Sequence, residues 1–153
     1  MAEEGKQQTL TIVSQYIKDL SFENITPMSQ NRSSGEQPNI DVQLKIDVKN
    51  GASEGLYTIS LITEITAKQA SKNLFLLELN YTGEFVVSGF PANVMDLLLR
   101  IECPRLLFPF ARSIIANAVS DGGFPPLYIE PVDFAALYQQ QMQQQKQSET
   151  SKE

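Results

Sequence analysis

The chain predicts an α+β fold, a four-stranded antiparallel sheet with helices packed on one side. Three observations predict it. Apolar and polar residues alternate without error from Ile40 to Lys49, and Asn50-Gly51 follows as a hairpin signal. Strand-like segments fill the first part of the chain, and helical spacing appears only after Pro91. The stretch from Arg100 to Leu127 gathers apolar residues beside prolines and glycines, as a buried helix with a stiff exit would require.

In chain order, the first element runs from Leu10 to Glu23. Leu10, Ile12, Tyr16, Leu20 and Phe22 share one parity, while Thr11, Gln15, Asp19, Ser21 and Glu23 share the other, which is the pattern of a half-buried strand. Ile25 to Pro38 carries two prolines, a glycine and a run of Ser, Asn and Gln, and reads as a long connection. From Ile40 to Lys49 the dry face is Ile40, Val42, Leu44, Ile46 and Val48. The hairpin through Asn50-Gly51 makes the next strand, Leu56 to Lys68, an antiparallel neighbour.

A polar turn at Gln69 to Asn73 leads into Leu74 to Ser88, with Phe75, Leu77, Leu79 and Tyr81 on one face and Leu74, Leu76, Glu78 and Asn80 on the other. Gly83 predicts a bulge or bend. Apolar residues on both faces of this strand predict cover on both, from helices or from another subunit.

A short helix is expected from Pro91, and a main helix from Pro104 or Pro109, because proline is tolerated in a first turn and not deep inside a helix. The main helix has an apolar stripe of Leu107, Phe110, Ala111, Ile114, Ile115, Ala118 and Val119, too wide for one packing partner. Gly122-Gly123 ends it. Phe124 to Pro131, with three prolines, is an extended connector. Asp133 is a candidate N-cap for a last, weakly amphipathic helix bearing Phe134, Leu137, Tyr138 and Met142. The organisation expected is therefore a disordered N-terminus over 1–9, one domain over 10–142, and a disordered Gln-rich tail over 143–153.

Composition narrows the function. With 12 basic and 18 acidic residues among 153, the net charge of −6 argues against nucleic acid or anionic lipid and suits a basic partner. There is no histidine, which removes the usual general base near pH 7 and the commonest zinc ligand. Cys103 is the only cysteine, so an intramolecular disulfide is impossible and a reducing compartment is expected. No apolar targeting segment opens the chain, and no run of about 20 apolar residues predicts a membrane span. Glycine-rich phosphate loops and metal-ligand clusters are absent, so neither a cofactor nor a metal is expected. An enzyme built on paired carboxylates, Glu78 with Glu84 or Asp19 with Glu23, would show a pH-rate profile set by a raised carboxyl pKa, and no substrate is suggested for it.

Several separate motifs carry a family resemblance: Tyr16-Ile17-Lys18-Asp19-Leu20-Ser21-Phe22-Glu23; Glu102-Cys103-Pro104 with Leu107-Phe108-Pro109-Phe110-Ala111-Arg112; Gly123-Phe124-Pro125-Pro126-Leu127; and Pro131-Val132-Asp133-Phe134 with Leu137-Tyr138. In this order, from about Leu10 to Tyr138, the chain resembles the SecB family of bacterial protein-export chaperones. The resemblance implies a cytoplasmic, ATP-independent chaperone, not an enzyme, that holds unfolded secretory preproteins and delivers them to the translocase ATPase SecA. It also implies a homotetramer, a dimer of dimers, that neither binds nucleic acid nor inserts into a membrane.

Carried over by position, the resemblance puts SecA binding on Asp19, Glu23, Leu76 and Glu78. The parity pattern independently places these on one face of their strands. Client binding in the family uses long apolar grooves. Here the expected lining is Ile40, Val42 and Leu44 from a strand, Phe124, Leu127 and Tyr128 from the connector, and Leu137, Tyr138 and Met142 from the last helix. The alternative function is a general peptide-binding or oligomerisation module without a SecA partner.

Overall fold

The computed structural model describes residues 7–30 and 37–150, with side chains through 144. Strands β1 (Thr9–Asn24), β2 (Asn39–Asn50), β3 (Leu56–Gln69) and β4 (Lys72–Ser88) precede helices α1 (Ala92–Leu97), α2 (Cys103–Asp121) and α3 (Phe134–Thr150). The strands form one antiparallel sheet in the order β1-β4-β3-β2, so β1 and β2 are its edges.

The Asn50-Gly51 signal does make the β2–β3 hairpin: Asn50 pairs with Tyr57, and the Gly51 N–H donates to the Leu56 carbonyl at 2.6 Å. Odd residues of β3 and β4 bear the core, with Ile59, Leu61, Ile65, Leu77, Leu79 and Phe85 almost inaccessible. Leu107, Ala111, Ile115 and Val119 of α2 belong to the same buried cluster. Each large side chain so buried contributes about 1.5–3 kcal/mol. Among the described residues, the other sheet face carries no helix. There the rows read Asp41, Thr66, Leu76, Glu23 and then Gln43, Glu64, Glu78, Ser21 across the strands.

Several local features stand out against the expectations, among them Pro109, which lies inside α2 and not in a first turn. In β1 the register shifts between Ile12 and Ser14 and again between Ile17 and Asp19. Each extra residue reverses the alternation. Tyr16 therefore pairs with Thr82 on the open face, while Gln15 and Ile17 lie opposite Gly83 and Tyr81 on the helical side. Leu20 and Phe22 return to the helical side after the second shift. Gly83 makes no bulge. It sits in regular register, and a Cβ there would run into Leu107 and Phe85, so glycine lets α2 approach the sheet.

In the helical layer, Phe108 and Ala116 are buried where Phe110 was expected; Phe110 is 47% exposed, stacked on Tyr81 at 6.2 Å. The short and main helices are joined by a π-helical turn, Leu98–Glu102. Here the Cys103 N–H reaches the Leu98 carbonyl, and Pro104, lacking an N–H, enters the next helical turn at no further loss. Finally, α3 runs on through the Gln-rich segment to Thr150. Glutamine is a good helix former, so a Gln-rich composition does not by itself end a helix. Residues 1–6 and 151–153, and the middle of the predicted 25–38 connection, lie outside the described residues.

Candidate functional site

Two surfaces stand on this scaffold. The first is the open face of β1 and β4. Glu23 lies opposite Leu76, Ser21 opposite Glu78, and Asp19 opposite Asn80, so the predicted residues Asp19, Glu23, Leu76 and Glu78 share one continuous patch. Leu76 is 37% exposed at its centre. The register adds Glu64 of β3, which lies opposite Glu78 and had not been singled out in the sequence. Like charges placed directly opposite repel. Among the described residues, the ion pairs join Lys49 to Asp47, Arg100 to Asp96 and Arg105 to Glu102, and none draws on these four carboxylates.

The second is an open trough of about 450 Å³ at the β2 edge, lined by Ile40, Val42, Leu44, Leu127, Tyr128, Ile129, Glu130 and Val132. Along the dry face of β2, exposure rises from the buried Ile46 through the half-buried Leu44 to Val42 and Ile40, because helix α2 covers the sheet's middle and not this corner. The connector crosses there instead. Its position is set by Arg112, whose Nε donates to the Ile129 carbonyl at 3.0 Å and whose guanidinium lies 5.6 Å from the Tyr128 ring centre. Cation–π contact and flanking prolines hold Tyr128 extended, 62% exposed, without collapse into the core.

Of the expected groove residues, Ile40, Val42, Leu44, Leu127 and Tyr128 meet in this trough. Phe124 does not: it is buried against Phe75 and Phe22 near the opposite edge of the sheet. Leu137 packs on the core. Tyr138 donates a 2.6 Å hydrogen bond to Asp96, which in turn accepts from Arg100, so it fastens α3 to the helical layer. That bond to the carboxylate, ahead of burial, pushes the Tyr138 phenol above its ordinary value. Met142 is partly exposed on α3, away from the trough lining. Asp133 caps α3 as expected, its carboxylate accepting from the Ala136 N–H at 3.1 Å. Sequence reasoning missed Arg112, Ile129, Glu130 and Val132, since only the crossing of the connector over β2 brings them together.

Cys103 is fully buried, and burial, followed by the neighbouring Glu102, pushes its thiol up to about 12, far from a nucleophilic thiolate. Among the described residues no cluster of Cys, Asp or Glu could hold a metal ion, and no helix is long and apolar enough to cross a membrane.

Comparison with known proteins agrees with the fold and with the motifs. A family model described as SecB, preprotein translocase subunit SecB, matches residues 3–145. The protein-export protein SecB of Bradyrhizobium diazoefficiens is 47% identical over 136 residues, covering 89% of this chain and 84% of that one. The protein of the same name from Rhodopseudomonas palustris strain BisB5 is 47% identical over 138 residues, 90% of this chain and 87% of the relative. In structure, the chain is similar to the SecB-like chaperone of Mycobacterium tuberculosis, solved with a ChAD peptide from an antitoxin. The TM-score is 0.65 at 11% identity over 80% of this chain and 90% of the other, a likeness of fold. On the family model and on relatives matching most of its length, the chain belongs to the SecB family of protein-export chaperones.

Proposed function

We propose that the protein is a cytoplasmic, ATP-independent chaperone, without catalytic activity of its own, that binds unfolded secretory preproteins and delivers them to SecA. The observation that carries this reading is the open apolar trough, with Tyr128 held out over the β2 edge by Arg112 and the connector prolines. Preorganised apolar surface binds extended chains with little loss of its own entropy and little sequence preference. Glu130 at its lining and the net charge of −6 favour clients that mix apolar and basic residues.

The SecA surface in this reading is Asp19, Glu23, Leu76 and Glu78 on the open face. Carboxylates around an exposed leucine suit a basic segment, charge speeding the encounter and apolar contact lengthening it. The working form is a homotetramer, a dimer of dimers, of single domains spanning 10–142. Support comes from Ile17 and Leu20 on the helical side of β1 and from Leu106 and Phe110 on α2, all of them exposed apolar residues.

The test uses purified protein and a reduced, unfolded preprotein in the absence of nucleotide. The expected result is delayed refolding, with the client kept soluble and then passed to added SecA. Refolding at the uncatalysed rate would remove the chaperone reading; holding without transfer would leave a peptide-binding module and remove the SecA partner.

A further inference from the structure

Across the open face, one row of residues runs Asp47, Ser60, Thr82, Tyr16 from β2 to β1. Tyr16 stands in it because of two irregularities in β1. The register slips between Ile12 and Ser14 and again between Ile17 and Asp19, so only the stretch between the slips has its faces exchanged. In an unbroken strand Tyr16 would follow Leu10 and Ile12 to the helical side. Bulges re-aim side chains, and the one re-aimed here is a tyrosine left 39% exposed. Among the described strand residues it is the one aromatic group on the open face, since Phe22, Tyr57, Phe75, Tyr81 and Phe85 fall on the helical side.

The surroundings suit a contact made from outside. Thr82 and Ser60, next in the row, are short and buried. Their hydroxyls bond one another at 2.9 Å, and Thr82 also donates to the Asn80 side-chain oxygen at 2.9 Å, so these polar groups are satisfied without the tyrosine. The row beside Tyr16 holds Asp19 opposite Asn80, the next holds Glu78 and Glu64, and the next holds Leu76 and Glu23. Six residues of β4 separate Thr82 from Leu76, about 20 Å at the rise of a strand. Two exposed apolar groups thus bracket a run of carboxylates.

We infer that Tyr16 is a second anchor of the partner surface, a ring that receives an arginine from a basic segment of SecA. A planar guanidinium stacks on an aromatic face and pairs with a carboxylate at the same time, and Asp19 in the adjoining row supplies that carboxylate. A lysine pairs with Asp19 and gains less from the ring. The segment is thereby specified: an apolar residue for Leu76, basic residues for Glu78 and Glu64, and an arginine about 20 Å from the apolar one. That distance is about six residues of extended chain or about thirteen of helix. This inference rests on the assignment of the open face to SecA.

The experiment measures the affinity of purified SecA for the full-length protein in the wild type and in Tyr16→Phe, Tyr16→Trp, Tyr16→Leu and Glu78→Lys. Melting midpoint, native mass and client holding are read on the same samples. Tyr16→Phe should stay within about twofold of the wild type, Tyr16→Trp should bind at least as tightly, and Tyr16→Leu should bind about fivefold more weakly, with client holding unchanged. A merely structural tyrosine predicts an affinity that follows the melting midpoint or the native mass through the series, whatever the ring. That result overturns the inference, as does equal binding by the wild type and all three Tyr16 variants. Glu78→Lys tests the parent reading separately: if it weakens SecA binding while the Tyr16 series does not, the open face remains the partner surface and Tyr16 is no part of it. Absence of SecA binding by the wild type would end both.

Discussion

Glu64 and Glu78 lie directly opposite one another on the open face of β3 and β4, a facing pair of carboxylates in the middle of the sheet. Such a pair costs stability, here a few tenths of a kcal/mol because both groups are solvated. A repulsion kept in place suggests a use outside the fold. Glu64→Gln should raise the melting midpoint slightly and weaken SecA binding by a few-fold, with client holding intact. Raising salt should shrink the binding difference, since screening acts on exposed charges. Unchanged SecA affinity in low salt would confine the surface to β1 and β4.

Arg112 and Tyr128 offer a second test. The guanidinium both donates to the Ile129 carbonyl and faces the ring, and lysine cannot do both. Arg112→Lys should cost about 1–2 kcal/mol in urea denaturation, from one charged hydrogen bond and one exposed cation–π contact. Client dissociation should speed up several-fold. Tyr128→Ala should have a similar effect on clients, and the double variant should fall short of the sum, because the two residues act together. Strict additivity would show that Arg112 supports the fold and not the trough.

Much of this architecture is legible in the sequence, and its misses have a common cause. Ile40 to Lys49 alternates cleanly because β2 is a regular strand with one dry face, and the Asn50-Gly51 turn pairs it with β3. Asp19, Glu23, Leu76 and Glu78 could be placed on a common face because β1 and β4 are in regular register there. Tyr16 could not, since the shifts after Ile12 and Ile17 reverse the alternation, and in the sequence Val13, Ser14, Ile17 and Lys18 only blur the pattern without giving the register. Glu64 needed the β3–β4 register, and the trough needed the connector's route over β2, which rests on the contact of Arg112 with Ile129. Phe124 and Tyr128 look alike as aromatic connector residues. Only the tertiary fold sends one into a cluster of rings and leaves the other in solvent.

Cys103 predicts a pH dependence. Its folded-state pKa, pushed up to about 12 from an ordinary 9.0, means that folding favours the neutral thiol. That contribution is present in full below about pH 9 and is lost as pH rises toward 12. Tyr81, raised mainly by burial, and Tyr138, raised mainly by its bond to Asp96, act in the same direction above pH 10. Stability should therefore fall on the alkaline side, and Cys103→Ala should flatten the earliest part of that fall. Near pH 8 the thiol should resist disulfide reagents until urea unfolds the protein. Rapid labelling of the native protein would contradict its burial.

Phe110 and Ile17 meet the same side chain, Tyr81, one by stacking at 6.2 Å and the other by cross-strand pairing. With Leu20 beside Leu79, they form an apolar patch that the chain's own helices leave partly bare, each residue 39–47% exposed. A second copy is the natural cover in the tetrameric reading, because the patch spans both the β1 edge and α2 and an edge strand invites pairing. Phe110→Asp should cost the isolated chain little, since about half of that ring is already in water. It should nevertheless shift native mass from tetramer to smaller species at micromolar concentration. Ile17→Asp should do the same, and each should weaken client holding more than the charge reversal at Glu78 does, because a long client needs troughs on several subunits for its avidity. A tetramer that survives both substitutions would put the subunit contacts on another face.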